Sequence, residues 1–351
     1  MDNPRRPHSL FWPIMLVGAG ILLLLRNLEL IPVFNLTMLL RLWPLLLVVL
    51  GVDLIFARRS PWVGTVIGLV TLAIVVVFLV ASPQLGIPSA EAPQTVVFSS
   101  PLKDTTSVNY KISTAADPVT LNALAGSDEL IHATITNRGT MKFDVTGEAE
   151  KTVFLNEESS ADAGLVWDLL ENNQKWDISL SKALPVNLDL EGGSGSLNLN
   201  LDGIDLRSMR ASFGSGSSRI SLPQNATPYD VTIATGSGSM NMDVPGSSNL
   251  NLTLTSGSGS INIDVLDLTT LTLTLSSGSG SVHVNVPDGA ALRIEVMDSG
   301  SGSLSVPGGL PRIGGNSDDH TGTWQSADYD TAMVKILIKI ASRGSGSISI
   351  N

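Results

Sequence analysis

Two patterns of apolar residues divide the chain. Up to residue 81 they come as runs: Phe11 to Leu25, Met38 to Phe56 and Trp62 to Ala81. A helix needs roughly 20 predominantly apolar residues to cross a bilayer. The third run meets this cleanly. The second does so with Arg41 and Asp53 near its ends, where both side chains can reach the interface. The first spans if it continues past Arg26 to Ile31; a re-entrant hairpin is its alternative. Arg5 and Arg6 look like the start of a secretory signal, but no small-x-small cleavage site follows Leu25 and two more apolar runs come next, so three retained helices are expected.

Farther along, apolar and polar residues alternate strictly. Examples are Leu197/Leu199/Leu201, Met240/Met242/Val244, Ile261/Ile263/Val265 and Leu271/Leu273/Leu275, with Asn262, Asp264, Thr272 and Thr274 between them. A period of two predicts strands with one buried face. The alternating segments are punctuated by Gly-Ser-Gly-Ser, which begins at Gly193, Gly214, Gly236, Gly257, Gly278, Gly300 and Gly344, in steps of 21, 22, 21, 21, 22 and 44 residues. The last step equals two periods, so a degenerate copy is expected near Gly322-Thr323. Tracts of Gly and Ser usually read as flexible linkers, but copies at a fixed spacing are structural punctuation. Each unit is therefore strand, turn, strand, corner. A unit of this size cannot bury its apolar face alone, and stacked units share a core, which predicts a parallel β-solenoid with 21–22 residue rungs. An antiparallel meander of hairpins is the alternative. The corner glycines (Gly193, Gly195, Gly214, Gly216, Gly236, Gly238, Gly257, Gly259, Gly278, Gly280, Gly300, Gly302, Gly344 and Gly346) are expected to supply the positive φ of a tight corner, and the serines to satisfy backbone groups along the column. Weaker copies at 107–112, 126–135 and 147–155 extend the repeat upstream, to some eleven steps and a rod on the order of 50 Å at ~4.8 Å per strand.

The organisation that follows is a cytoplasmic tail (1–10), a membrane domain of three helices (11–81), a Pro-rich linker (82–103, with Pro83, Pro88, Pro93 and Pro101) and an all-β ectodomain (104–351). Basic residues orient it. Arg5, Arg6, Arg58 and Arg59 share one side of a three-helix arrangement, Arg26 and Arg41 flank the other, and no Lys or Arg occurs from Ser60 to Leu102. This places the N-terminus in the cytoplasm and residues 82–351 outside, in a multi-pass protein of the cell membrane.

The first two apolar runs are copies of one motif, Trp12-Pro13 followed by Gly20 and Trp43-Pro44 followed by Gly51. Pro just inside a helix start costs little, and a mid-helix Gly lets another helix approach. Residues 10–60 resemble the LiaI/LiaF-like transmembrane family of bacterial envelope-stress proteins, and residues 104–351 resemble the toast-rack β-solenoid family of adhesin-like domains. The resemblance implies envelope-stress sensing or regulation through a membrane partner such as a sensor kinase. A surface adhesin or structural stalk is the alternative.

Composition narrows the chemistry. The formal net charge is −11, of which residues 1–60 contribute +3 and 61–351 contribute −14. An acidic body without a basic stripe argues against nucleic acid as a partner. The absence of Cys excludes disulfides and thiolate chemistry. The corners lack the Asp of calcium-binding repeats, the Lys of a phosphate-binding loop and the helix of a nucleophile elbow. No enzyme activity, cofactor or metal is expected. Two segments break the repeat, 156–176 and 307–330, and irregular loops on a regular scaffold are where binding tends to reside. They make Trp167, Trp176, Trp324 and Tyr329 candidate partner-binding residues. The alternating segment Ile348-Ser349-Ile350-Asn351 stands directly after a corner, which predicts a rod end covered by 307–330 or by self-association through an added strand.

Overall fold

The computed structural model describes residues 94–351, apart from 127, 138, 159–173, 247–248, 299 and 316–320, together with helical positions between 16 and 77. The chain divides into two compact units, 1–92 with 161–172, and 93–160 with 173–351. In the first, positions 16–18, 20, 47, 66, 69–74 and 77 are helical. A Cβ on Gly18 would lie 2.6 Å from the Leu72 side chain, whereas one on Gly20 would meet nothing within 4 Å. Gly18 thus lies close against the Leu72 side chain, and Gly20 has no such neighbour among the described residues. Among the described residues no helix is long and apolar enough to cross a membrane. Trp12, Pro13, Trp43, Pro44 and Gly51 lie outside the described residues.

The second unit is all β. Its strands are β1 (Gln94–Pro101), β2 (Ser107–Ser113), β3 (Val119–Ala123), β4 (Glu129–Asn137), β5 (Thr140–Thr146), β6 (Glu150–Glu158), β7 (Lys175–Leu180) and β8 (Val186–Gly192). The regular repeat follows as β9 (Leu197–Asn200), β10 (Leu206–Phe213), β11 (Ser218–Ser221), β12 (Tyr229–Thr235), β13 (Met240–Val244), β14 (Asn249–Ser256), β15 (Ser260–Val265), β16 (Thr270–Ser277) and β17 (Ser281–Asn285). The last part comprises β18 (Leu292–Val296), β19 (Leu304–Ser305), β20 (Arg312–Gly314), β21 (Gly322–Gln325), β22 (Ile336–Ser342) and β23 (Ser347–Ile350). Each coil contributes one strand to a twelve-stranded sheet and one to an eleven-stranded sheet. The alternating apolar residues point between the sheets: Leu199, Met242, Ile263, Leu273 and Val284 are fully buried in one continuous core. The pairing from β8 through β16 is parallel in one sheet and from β9 through β17 in the other, with aliphatic residues directly above one another, such as Leu252 on Leu273 and Ile263 on Val284. The solenoid reading therefore holds and the meander does not. At about 4.8 Å per strand the sheets run on the order of 50 Å.

The stack does not follow chain order at either end. β22 lies between β16 and β18, and β23 between β17 and β19, so residues 336–350 form a coil inserted between those at 270–285 and 292–305. At the other end the coil of β2 and β3 sits between that of β6 and β7 and that of β8 and β9. The segment at 348–351 is thus an interior rung, not an uncovered end. Among the described residues the 44-residue step holds no degenerate coil either: Gly322-Thr323 belongs to β21, which pairs antiparallel with β18 and with β20 and extends one sheet past the last coil. The segment 307–330 does cover an edge, but that of β18.

Antiparallel strands close the opposite end, β1 on β4 and β5 on β6. The Phe98 and Phe143 rings stack there at 5.1 Å between centroids. Because β1 begins at Gln94, part of the expected 82–103 tether is sheet. The upstream copy at 126–135 likewise becomes antiparallel β4, not a coil.

Tyr110 is fully buried in β2 and donates its hydroxyl to the Leu130 carbonyl at 2.6 Å. Burial raises its pKa above the ordinary value of 10.0, and hydrogen bonding with the backbone at Ser181 opposes the rise in part. The unfolded phenol ionises near 10 while the folded one keeps its proton. This contribution to stability is therefore complete below pH 10 and is lost as pH climbs toward the folded value. Denaturant titrations of wild type should show stability falling above pH 10. Tyr110→Phe should fall less steeply there while losing about 1 kcal/mol at neutral pH; parallel curves would assign the alkaline loss elsewhere.

Candidate functional site

The Gly-Ser-Gly-Ser corners form one column, and its chemistry is steric. A Cβ on Gly216 would overlap the Gly195 carbonyl oxygen, one on Gly238 that of Gly216, one on Gly259 that of Gly238 and one on Gly280 that of Gly259. The column continues with Gly346 against Gly280 and Gly302 against Gly346, which repeats the inserted order of the coils. The first glycines are less tight: a Cβ on Gly214, Gly236, Gly257 or Gly278 would lie 2.6–2.8 Å from the carbonyl of the coil before. Gly193 and Gly195 press in the same way on Ala115 and Asp117, so residues 114–118 are a corner without glycine.

Positive φ is not the general cause. Of the corner glycines only Gly300 (φ 36) and Gly344 (φ 54) are left-handed. The backbone satisfies itself along the column, as in Gly214 N to Gly193 O at 2.9 Å, Ser258 N to Gly236 O at 3.1 Å and Ser345 N to Gly278 O at 3.0 Å. Apart from Ser347 Oγ to Ser281 Oγ at 3.2 Å, the corner serines are not what holds the column.

The candidate aromatic residues fall in different places. Trp176 is fully buried in β7, in phase with Ile178 and Leu180, and its indole N–H donates to Asp117 Oδ2 at 3.2 Å. It is a core residue and offers no surface to a partner. Trp167 lies outside the described residues. Trp324 and Tyr329 do share one end of the solenoid, yet their ring faces are occupied. Arg312 lies over Trp324 at 5.2 Å, and Arg293 and Lys335 lie over Tyr329 at 6.0 and 5.3 Å. Gln325 ties this cluster together, accepting from Arg293 Nη1 at 3.3 Å and donating to Asp330 Oδ2 at 3.0 Å. Tyr329 is nearly buried, and burial raises its pKa, while the Arg293 charge works in the opposite sense. These residues fasten β21 and the loop after it to the last coil.

A broad recess lies on the outer face of the twelve-stranded sheet, a groove of about 460 Å³ across β6, β2, β8, β10 and β12. Alternation alone predicts its polar lining, since every second residue of these strands faces out. Asn187 donates to Asn109 at 2.9 Å and accepts from Ser208 Oγ at 2.7 Å. In the next row Lys111, Asp189 and Arg210 stand side by side in register. Such a face can hydrogen-bond an extended polar ligand but holds no activated nucleophile. Among the described residues no group of three or more His, Asp or Glu side chains could hold a metal ion. His283 projects outward from β17, His132 meets Glu129 at 3.2 Å on the surface, and His320 lies outside the described residues.

Residues 11–98 match the family profile of the LiaF transmembrane domain, and residues 89–243 match that of the N-terminal domain of toast_rack, DUF2154. No curated relative matches the chain. Among solved structures, it is similar to a candidate cell adhesion protein from Clostridium sporogenes, with 13% identity, a TM-score of 0.37, and coverage of 74% of this chain and 98% of that one. It is also similar to a candidate adhesin from Bacteroides fragilis, with 13% identity, a TM-score of 0.33, and coverage of 74% and 97%.

Proposed function

Because the chain joins a LiaF-type transmembrane region to a toast-rack β-solenoid and is thereby a membrane-anchored envelope protein, we propose that it acts in envelope-stress sensing or regulation. The solenoid stands outside the membrane, and the helices engage a membrane protein, a sensor kinase being the partner of fitting chemistry. The observation that carries this reading is the continuity of the two domains, whose matches overlap at residues 89–98. An inert anchor would need only apolar helices. The paired Trp-Pro-apolar-Gly motifs, with Gly18 against Leu72, instead describe helices built to pack. The excess of Arg at 5, 6, 58 and 59 supports a cytoplasmic N-terminus.

Two experiments test this. Protease added to intact cells, or to spheroplasts where a wall shields the surface, should digest residues 104–351. A protected solenoid with a cleavable N-terminus would invert the topology. Crosslinking in membranes, followed by identification of the adduct, should recover a membrane protein joined through residues 11–81. Adducts confined to the solenoid and to extracellular material would favour an adhesin or stalk.

A further inference from the structure

Among the described residues each sheet ends in two edge strands, and three of these four edges are blunted. β19 is two residues long, β20 is three and opens on Arg312, and β5 carries Lys142 and Asp144 on its exposed face. Short strands and charge are the usual means by which an edge is kept from pairing with another chain. β1 has neither. It runs eight residues, Gln94-Thr95-Val96-Val97-Phe98-Ser99-Ser100-Pro101, without a charged side chain and with its one proline at the far end. One side of it pairs with β4, and among the described residues no strand pairs with the other. Its outward face also presents Val97, 56% exposed, at a position where a half-solvated strand ordinarily places a polar residue.

The strand is complementary to itself. Val96, Phe98 and Ser100 face inward, opposite the buried Ile135, Ala133 and Ile131 of β4, while Thr95, Val97 and Ser99 face outward. An antiparallel copy related by a two-fold axis at Val97 sets Val97 against Val97, Val96 against Phe98, Thr95 against Ser99 and Gln94 against Ser100. Apolar side chains then meet apolar ones, polar meet polar, and both inward faces lie on the same side. Other registers lose this match. A slip of one residue joins the inward face of one strand to the outward face of the other. Centring on Phe98 sets Val97 against Ser99 and draws Pro101, which has no N–H, into the ladder; centring on Val96 sets Val97 against Thr95. We propose that β1 pairs antiparallel with β1 of a second copy of this chain about Val97, so that the eleven-stranded sheet runs through both copies. The contact is isologous, as a two-fold dimer requires, and is made by strand addition at an open edge. A strand pair of this length is marginal by itself in water. Two copies anchored in one membrane meet at the high effective concentration under which such a contact persists. The pairing stands apart from the stress-sensing reading, since it involves neither the helices nor their partner.

The chain has no Cys, so single cysteines report the register directly. The full-length protein is kept in native membranes and treated with a mild oxidant. Val97→Cys should run as a disulfide-linked dimer. Directly opposite residues of an antiparallel pair lie about 4.5–5.5 Å apart between Cα atoms, within the roughly 4.4–6.8 Å that a disulfide spans. Thr95→Cys and Ser99→Cys should each stay monomeric alone, because the pairing holds each about four residues from its own copy. Co-expressed, the two should link to each other. A Val97→Cys chain that stays monomeric, a Thr95→Cys chain that links to itself as readily, or co-expressed chains that do not link overturns the pairing. Should Val97→Cys fail to accumulate, the co-expressed pair decides alone: a band at twice the monomer mass supports the pairing, and its absence rejects it.

Discussion

Removal of residues 332–351 is expected to release residues 292–325 from the solenoid while residues 186–285 stay folded. Loss of an end coil from a stack of repeats removes one nearest-neighbour interface. Loss of the inserted coil removes two, because β22 separates β16 from β18 and β23 separates β17 from β19. Leu292, Ile294 and Val296 of β18 then lose Ile336, Ile338 and Ile340 as partners, and β19 keeps no strand at all, since its two residues pair only with β23. Each fully buried aliphatic side chain is worth about 1.5–3 kcal/mol, so the detached coil cannot persist on its antiparallel pairing with β21. Hydrogen exchange read by mass spectrometry should show amides at 292–325 exchanging at unfolded rates and those of β8 to β16 remaining protected. Protection retained at 292–305 would mean that this coil drops directly onto 270–285, making the insertion dispensable.

Much of the solenoid was legible in the residues, and what was not has a common cause. Period-two alternation identified inward positions correctly from Leu197 to Val284, because inward and outward sites on a pleated strand differ sharply in solvation. The corners were legible as places, since no other arrangement repeats one Gly-Ser-Gly-Ser every 21 or 22 residues. Stacking order was not. Every coil presents nearly the same apolar ladder and the same corner to its neighbours, so local complementarity does not say whether the coil at 344 follows 300 or slips in before it. The available clue was Arg343: a charged residue stands just before that corner and is buried, where uncharged Phe213, Thr235, Ser256 and Ser277 precede other corners. Trp176 was misread because it borders an irregular segment, although its phase with Ile178 and Leu180 already placed it inside. Val96 and Phe98 alternate as a strand should, but the prolines on either side of them drew attention to a tether.

Gly259→Ala is expected to destabilise the solenoid more than Gly257→Ala, and both more than Gly289→Ala. The three positions separate two reasons for glycine. Gly289 has φ 76 with nothing within 4 Å of a Cβ, so alanine there meets backbone strain alone, at a cost of about 1 kcal/mol. Gly257 has no positive φ, and its Cβ would sit 2.7 Å from the Gly236 carbonyl oxygen, an overlap that a small shift of the corner can relieve. Gly259 would drive its Cβ into the Gly238 carbonyl oxygen. The obstacle is backbone held in the preceding corner, and from the following corner Ser281 N bonds to Gly259 O at 3.2 Å, so relief must open the spacing between coils. Overpacking of this kind costs about 1–3 kcal/mol and sometimes more, and for a domain of this size each kcal/mol lowers the melting temperature by about 2–4 °C. The column adds a second signature. Because each corner rests on the one before, Gly259→Ala should raise hydrogen exchange at 236–239 and 278–281 as well as at its own corner, whereas Gly289→Ala should raise it only between β17 and β18. Equal effects of the three variants, or a Gly289→Ala variant that is the least stable, would return the corners to a requirement for left-handed backbone rather than for close approach.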